Sequence, residues 1–450
     1  MRYCGLVLLF AFGIGVASAE VSYYKDLRPI LERSCQGCHQ PAGKMGGLDL
    51  TSYEAMAAGG SKGPAFVAGS ADESRLVMLL TGAGEPRMPF GQDPLPDTEI
   101  DVFRRWVSEG AKDDTPESAR GPQVPTEPPT YDQPPVLTAA AFSPDGKALA
   151  VGGYREILLH KADGSKIETR LLGRSDRIHS VAFTPDGKKL VAVGGTPGRF
   201  GEVQIWDLAS KKQLHSVVAT NDTLFGGALS PDGSHVVVGG ADNGVRVIEI
   251  ATGKELFKAG HHEDWVLDAA FGIDGKRVVT VGRDRAAKLA DAATGAFLEN
   301  VNFLRDELHV IARHPRRDYV LIGGMDRVPY LYMMDRPRAL KIADDSTLVR
   351  KFAEQEGAIH ALSFSSDGSR IAVGGIAEVI NIYDTESGER VASCKLPAGG
   401  AYVLEFPPDG RQLLAGGFDG LLRVFDVASG KQVKEFSPVP LERGRLRSAR

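Results

Sequence analysis

Phe142-Ser143-Pro144-Asp145-Gly146-Lys147-Ala148-Leu149-Ala150-Val151-Gly152-Gly153 is one copy of a pattern that recurs through the C-terminal two-thirds of a 450-residue chain. An apolar run ends in phenylalanine or its equivalent, a Ser/Thr-Pro-Asp-Gly turn reverses the chain, and a second apolar run ends in paired glycines. The turn returns as Pro185-Asp186-Gly187, Pro231-Asp232-Gly233, Ile273-Asp274-Gly275, the degenerate Pro315-Arg316-Arg317-Asp318, Ser366-Asp367-Gly368 and Pro408-Asp409-Gly410. Steps of 41, 46 and 42 residues separate Gly146, Gly187, Gly233 and Gly275. Each step leaves room for two further strands, so seven units predict an all-β seven-bladed propeller over residues 136–440.

The second landmark repeats as Gly194-Gly195, Gly239-Gly240, Gly323-Gly324, Gly374-Gly375 and Gly416-Gly417, with Val281-Gly282 in the fourth unit. Third strands end in Trp206-Asp207, Tyr383-Asp384 or Phe425-Asp426, with Ala290-Asp291 a weaker copy. On this joint pattern the region resembles the WD40 family. His261-His262, in Gly260-His261-His262-Glu263-Asp264-Trp265, resembles the Gly-His element that such blades use in a hydrogen-bond network with an aspartate, here Asp284. Every unit runs in the same four-strand phase, and the last supplies its own outer strand over residues 431–436. Closure is therefore expected from packing of the first blade on the last, or from an edge strand over residues 130–133.

Alignment of the first strands puts Thr138, His179, Phe225, Leu267, His309, His360 and Tyr402 at one position, expected at one end of the central channel. The histidines invite a metal reading. Opposite blades hold ligands too far apart for that, so a channel-mouth site at His179, His309, His360 and Tyr402 is expected to be wet or to meet a partner. Cys394 is expected between blades, and the basic residues of 441–450 at a frayed end.

Residues 113–135 carry seven prolines with few apolar side chains, and read as an acidic, semi-rigid spacer. Ahead of it stands Cys35-Gln36-Gly37-Cys38-His39. Two thiols three positions apart and an adjoining histidine match the spacing for covalent c-type haem, with His39 beneath the iron. A redox dithiol or half of a zinc site are the competing readings; the latter needs further ligands, and the other cysteines are Cys4 and Cys394. Tyr24, Leu27, Ile30 and Leu31 recur at helical spacing before the motif, Gly43, Gly46 and Gly47 open a loop after it, and residues 72–80 read as a second helix. Met88, on a loop between Gly84 and Pro94, is the candidate sixth ligand. Met45 lies too near His39 to cross the haem, and Met56 and Met78 fall on expected helices. Asp97 is the candidate cap of a last helix that carries Ile100, Phe103, Trp106 and Val107 and stops at Gly110.

Leu27-Arg28-Pro29-Ile30-Leu31, the Cys35–His39 motif, Gly46-Gly47-Leu48-Asp49-Leu50, Met88-Pro89 and Leu95-Pro96-Asp97-Thr98-Glu99-Ile100 together resemble the planctomycete-type cytochrome c domain, here over residues 20–112. The resemblance implies a small all-α c-type cytochrome with one haem c, attached at Cys35 and Cys38 and ligated by His39 and Met88. Phe90 stands where the family often has a second proline.

Arg2, an apolar run over residues 4–16 and Ala17-Ser18-Ala19 read as a signal peptide of residues 1–19, so export to a bacterial periplasm or envelope space is expected, with no transmembrane span after cleavage. A net charge of −5 offers no basic field for nucleic acid. The expected function is electron transfer by a non-catalytic carrier whose propeller docks a redox partner protein. A propeller oxidoreductase with the haem as electron outlet, and a haem-based redox or gas sensor, stand as alternatives.

Overall fold

The computed structural model describes residues 20–40, 45–116, 124–334, 344–397 and 399–442. The expected signal peptide, Gly43 and the basic residues from Arg443 onward lie outside these. The chain divides into two compact units between Gly121 and Pro122.

The first unit is helical. Residues Tyr23–Leu27 form a π-helical turn capped by the Ser22 hydroxyl, which accepts from the Lys25 N–H. Helix α1, Arg28–Ser34, follows at once with Pro29 in its first turn, where a missing N–H leaves no bond unmade. After α2, Tyr53–Ala58, comes α3, Arg75–Thr81, which starts three residues later than the pattern suggests. Ser74 is the reason: its hydroxyl donates to the Ser70 carbonyl at 2.8 Å and accepts from the Val67 N–H at 2.8 Å, which ties the preceding residues into a turn. Helix α4, Asp97–Ser108, has Pro96 at its cap; Asp97 stands one place inside, with Glu99, where carboxylates oppose the positive end of the helix. Gly110 ends it at φ 101°. Trp106 is the centre of the core, 5.0 Å from the Phe66 ring, 5.8 Å from Tyr23 and 6.2 Å from Tyr53 between ring centres. Its indole N–H donates to the Lys112 carbonyl at 2.9 Å, so the buried ring leaves no donor unmet.

The second unit is a ring of seven four-stranded antiparallel sheets, each built from four consecutive strands. The innermost strands are Ala140–Phe142, Arg177–Phe183, Leu224–Leu229, Val266–Phe271, Leu308–Arg313, Ile359–Phe364 and Ala401–Glu405, and define blades 1 to 7. The repeated turn works through its polar residues. In blade 1 the Ser143 hydroxyl donates to Asp145 at 2.7 Å and accepts from the Ala148 N–H at 2.9 Å, while Gly146 takes φ 68°. Blade 5, whose turn lacks the glycine, substitutes an imidazole: His314 Nδ1 accepts the N–H groups of Arg316 and Arg317, each at 3.0 Å.

No strand is exchanged between the ends of the ring. Leu137, Leu149 and Val151 of blade 1 pack on Val403, Leu414 and Leu422 of blade 7, and the Leu137 N–H donates to the Gly417 carbonyl at 3.0 Å. A second contact lies at the outer side of blade 1. Tyr131, expected in the spacer, is buried against Leu158 and Val439 and forms a single parallel bridge with Leu441 in place of an edge strand. Its hydroxyl donates to Glu156 at 2.6 Å, and Glu156 pairs with Arg170 at 2.6 Å. Chain entering the ring and chain leaving it are thus clasped together. Tyr131→Ala should lower propeller stability by about 3 kcal/mol. Urea unfolding followed by Trp fluorescence measures this, and an unchanged midpoint would assign closure to the packing of blades 1 and 7 alone.

Candidate functional site

The haem motif follows directly from the end of α1. The Cys35 N–H donates to the Leu31 carbonyl at 2.9 Å, and the His39 N–H to the Cys35 carbonyl at 3.1 Å. Downstream, the His39 carbonyl accepts from the Leu50 N–H at 2.9 Å, and the Gln36 side-chain amide donates to the Leu50 carbonyl at 2.9 Å. The five residues are therefore held in one compact turn. The loop bearing Met88 is pinned to α3 by its own N–H, which donates to the Leu79 carbonyl at 2.9 Å.

Cys35, Cys38, His39 and Met88 line one cavity of about 420 Å³, whose walls include Leu48, Leu50, Ala65, Leu76, Leu79 and Leu80. Burial pushes the Cys35 thiol up to about 11, slightly offset by Arg33. His39 Nδ1 is buried with no hydrogen-bond partner. Two free thiols, an imidazole nitrogen with unspent bonding capacity and a thioether around an apolar cavity form the donor set a covalent haem requires. Met45 also lines the cavity but is 63 % exposed, Met56 is buried in the core, and Met78 does not line it. Sequence reasoning missed three cations at the rim, Arg33, Lys62 and Arg75.

In the propeller, all seven aligned first-strand residues line one channel-mouth cavity of about 550 Å³. A register shift in the innermost strand places them there, as between Leu308 and Val310 on either side of His309. The histidines do not converge. His309 and His360 stack with ring centres 4.7 Å apart and their Nδ1 atoms at 3.2 Å, while His179 packs on Phe225 at 5.6 Å. Among the described residues no group of three His, Cys, Asp or Glu side chains is placed to hold a metal ion. Burial pushes His179 and His360 down to about 4, aided by Arg177 and by His309 respectively, so both are neutral at pH 7. His262 Nδ1 meets Asp284 at 2.9 Å and its Nε2 meets Thr280 at 2.8 Å, and it does not line the cavity.

Sequence reasoning also missed two carboxylates in the channel. Burial raises Asp268 to about 7, partly offset by the Ile311 and Ala269 N–H groups, and raises Glu405 to about 8 with nothing offsetting it. Both side chains line the channel-mouth cavity. The same first-strand alignment that found the histidines contains the signal, since Glu405 falls where five blades have alanine.

Residues 35–89 match the family described as Planctomycete cytochrome C, and residues 253–291 and 388–426 match WD domain, G-beta repeat. An uncharacterised WD repeat-containing protein of Synechocystis sp. is 31% identical over 100 residues, 22% of this chain and 28% of its own length. The match thus spans little more than a quarter of that relative. A small helical cytochrome c domain followed by a seven-bladed WD40 propeller is the class that fold and site define. No helix among the described residues is long and apolar enough to cross a membrane.

A raised carboxylate binds its proton more tightly in the folded state, so its effect on stability is lost as pH rises from the unfolded value near 4 through the folded one. The contribution of Glu405 to propeller stability, read as wild type minus Glu405→Gln, is expected to fall between pH 5 and about 8 with a slope approaching about 1.4 kcal/mol per pH unit. Equal slopes in wild type and variant, from urea midpoints across the range, would show that Glu405 does not titrate there.

Proposed function

We propose that the protein is an exported electron carrier with one covalent haem c, and that its propeller is the platform on which a redox partner docks. The observation that carries this reading is the convergence of Cys35, Cys38, His39 and Met88 on one apolar cavity. Haem bound there supplies a one-electron iron couple. Cys35 and Cys38 would fix it covalently, His39 and Met88 would hold the iron, and Lys62 and Arg75 at the cavity would meet its carboxylates, Arg33 being paired with Glu99 at 2.7 Å. Leucine walls around a bound haem would favour the less charged iron state and a raised potential. Ligation by both His39 and Met88 would leave the iron no position for substrate, which favours transfer over catalysis.

Docking is supported by the surface around the channel mouth. The turns after the paired glycines lie at that end of the ring, because each innermost strand begins opposite the glycines, as Ile359 opposite Gly375 and Ala401 opposite Gly417. Adjacent blades present Met325, Ile376 and Phe418 there, 44, 53 and 61% exposed. Three neighbouring apolar side chains on rigid turns suit a protein partner.

The haem-loaded protein is expected to show a low-spin spectrum with a weak sulfur-to-iron band. Met88→Ala should remove the band, lower the potential and let the reduced protein bind carbon monoxide. A wild type that is already high-spin and binds carbon monoxide would favour the sensor reading instead. Replacing Ile376 and Phe418 by Ser should slow electron exchange with the cell's redox partner by about tenfold and leave exchange with a small-molecule mediator unchanged; equal partner rates would remove the docking role.

A further inference from the structure

We propose that the central channel of the propeller is a binding site for an organic cation, a protonated amine or guanidinium, seated on the carboxylate of Glu405. The inference stands apart from what the haem does.

The seven innermost strands pair with their neighbours in one register, with Ala141 opposite Ala150, Ala182 opposite Val191, Ala228 opposite Val237, Ala270 opposite Val279, Ala312 opposite Leu321, and Ser363 opposite Ala372. Glu405 opposite Leu414 is the seventh member. Six blades thus carry alanine or serine at this position of the innermost strand, so the repeat asks for no longer side chain there. No charged or hydrogen-bonding group acts on the Glu405 carboxylate. Glu405 is half-buried in the cavity wall, where an unpaired carboxylate is costly to ionise, and a role in packing would be met by alanine.

The surroundings select the sign and the kind of ligand. Asp268, Glu307 and Glu405 line the cavity against one guanidinium, Arg283. Arg283 is already engaged, over the Trp265 ring at 5.0 Å and 3.5 Å from Glu307. Asp268 is compensated by the Ala269 and Ile311 N–H groups at 2.9 and 3.0 Å, which leaves Glu405 as the carboxylate without a partner. The mouth histidines His179 and His360 are neutral at pH 7 and add no positive charge. The same cavity is lined by the stacked pair Phe225 and Trp265, with ring centres 5.4 Å apart, and by Tyr402 against His360 at 5.5 Å. Aromatic faces attract organic cations, and a cavity of about 550 Å³ is of the size that encloses small ligands. A hard metal ion would need several oxygen ligands at once, and the channel carboxylates sit on separate blades.

Glu405 carries a proton at neutral pH, since burial raises it to about 8. Binding therefore exchanges that proton for the cation: the carboxylic acid and the ammonium give a carboxylate–ammonium pair and one proton released to solvent.

Calorimetric titration of the full-length haem-loaded protein at pH 7 with n-butylammonium, in buffers of differing ionisation enthalpy, tests the proposal. One-site binding with release of up to one proton is expected, at least tenfold tighter than for neutral n-butanol. Glu405→Ala should weaken binding about 30-fold or more and abolish the proton release. That variant gives blade 7 the residue five blades already carry, and a thermal melt confirms that it folds. A second arm titrates N-acetyl-Gly-Lys-Gly-amide. Binding of the free amine identifies a small-molecule site, and binding of the peptide alone identifies a side chain of a protein partner. Equal affinity of wild type and Glu405→Ala, equal affinity for butanol, or no binding of either amine would overturn the proposal.

Discussion

Closing a ring of seven sheets without a shared strand is the constraint on which the propeller depends. A linear array of such units would leave two apolar faces open, each as large as any interior interface. Here the first and last faces meet through Leu137, Leu149, Leu414 and Leu422, all essentially buried. Hydrophobic contact of that kind is strong but carries no register of its own. The Leu137–Gly417 hydrogen bond and the Tyr131–Leu441 bridge supply it at the inner and outer sides. Rigidity of the channel mouth follows, because the side chains lining it come from every blade.

The helical unit meets a different limit. A chain of about ninety residues buries a modest core, and this one divides its apolar side chains between a cluster around Trp106 and the walls of the haem cavity. Leu76 and Leu80 serve both, being buried in the core and lining the cavity. Haem contact would therefore extend the core, and stability and cofactor binding draw on the same residues. Backbone bonds at Cys35, His39 and Leu50 fix the motif in the protein part alone, so His39 and the thiols are positioned in advance.

Repeats made much of this legible. Turn, paired glycines and strand length recur in register, and seven copies average out the weak ones; even blade 5 was found through its spacing, although His314 does there what Ser143 does in blade 1. That Cys35, Cys38, His39 and Met88 would meet at one cavity was legible from the spacing of the first three and from the loop that carries the methionine. Helix starts were less so: Ser74 looks like any residue of an amphipathic run until its hydroxyl is seen to bond backward. Tyr131 was hidden by its prolines, which mark an extended segment but say nothing of what its one aromatic side chain touches. Glu405 and Asp268 were missed because the first-strand alignment was read at a single position, the one carrying histidines.

Polar groups elsewhere in the ring show why Glu405 stands out. Blade after blade carries a buried polar side chain, and each has partners: Glu156 with Tyr131 and Arg170, Glu202 with Arg174 and Ser175, Arg246 with Asp242, Asp284 with His262 and Lys288, Asn381 with Gln355 and Ser393, Arg423 with Asp419. These networks differ in chemistry from blade to blade but each matches a buried charge within its own neighbourhood, whereas the buried His160 imidazole, whose pKa burial lowers, and the Gln213 amide nitrogen have no hydrogen-bond partner. The role of the networks is structural, since each charge is consumed by its partners. A carboxylate at the channel wall that lacks such a match is not consumed. A cation entering from the channel would satisfy it, and without one burial favours its protonated form.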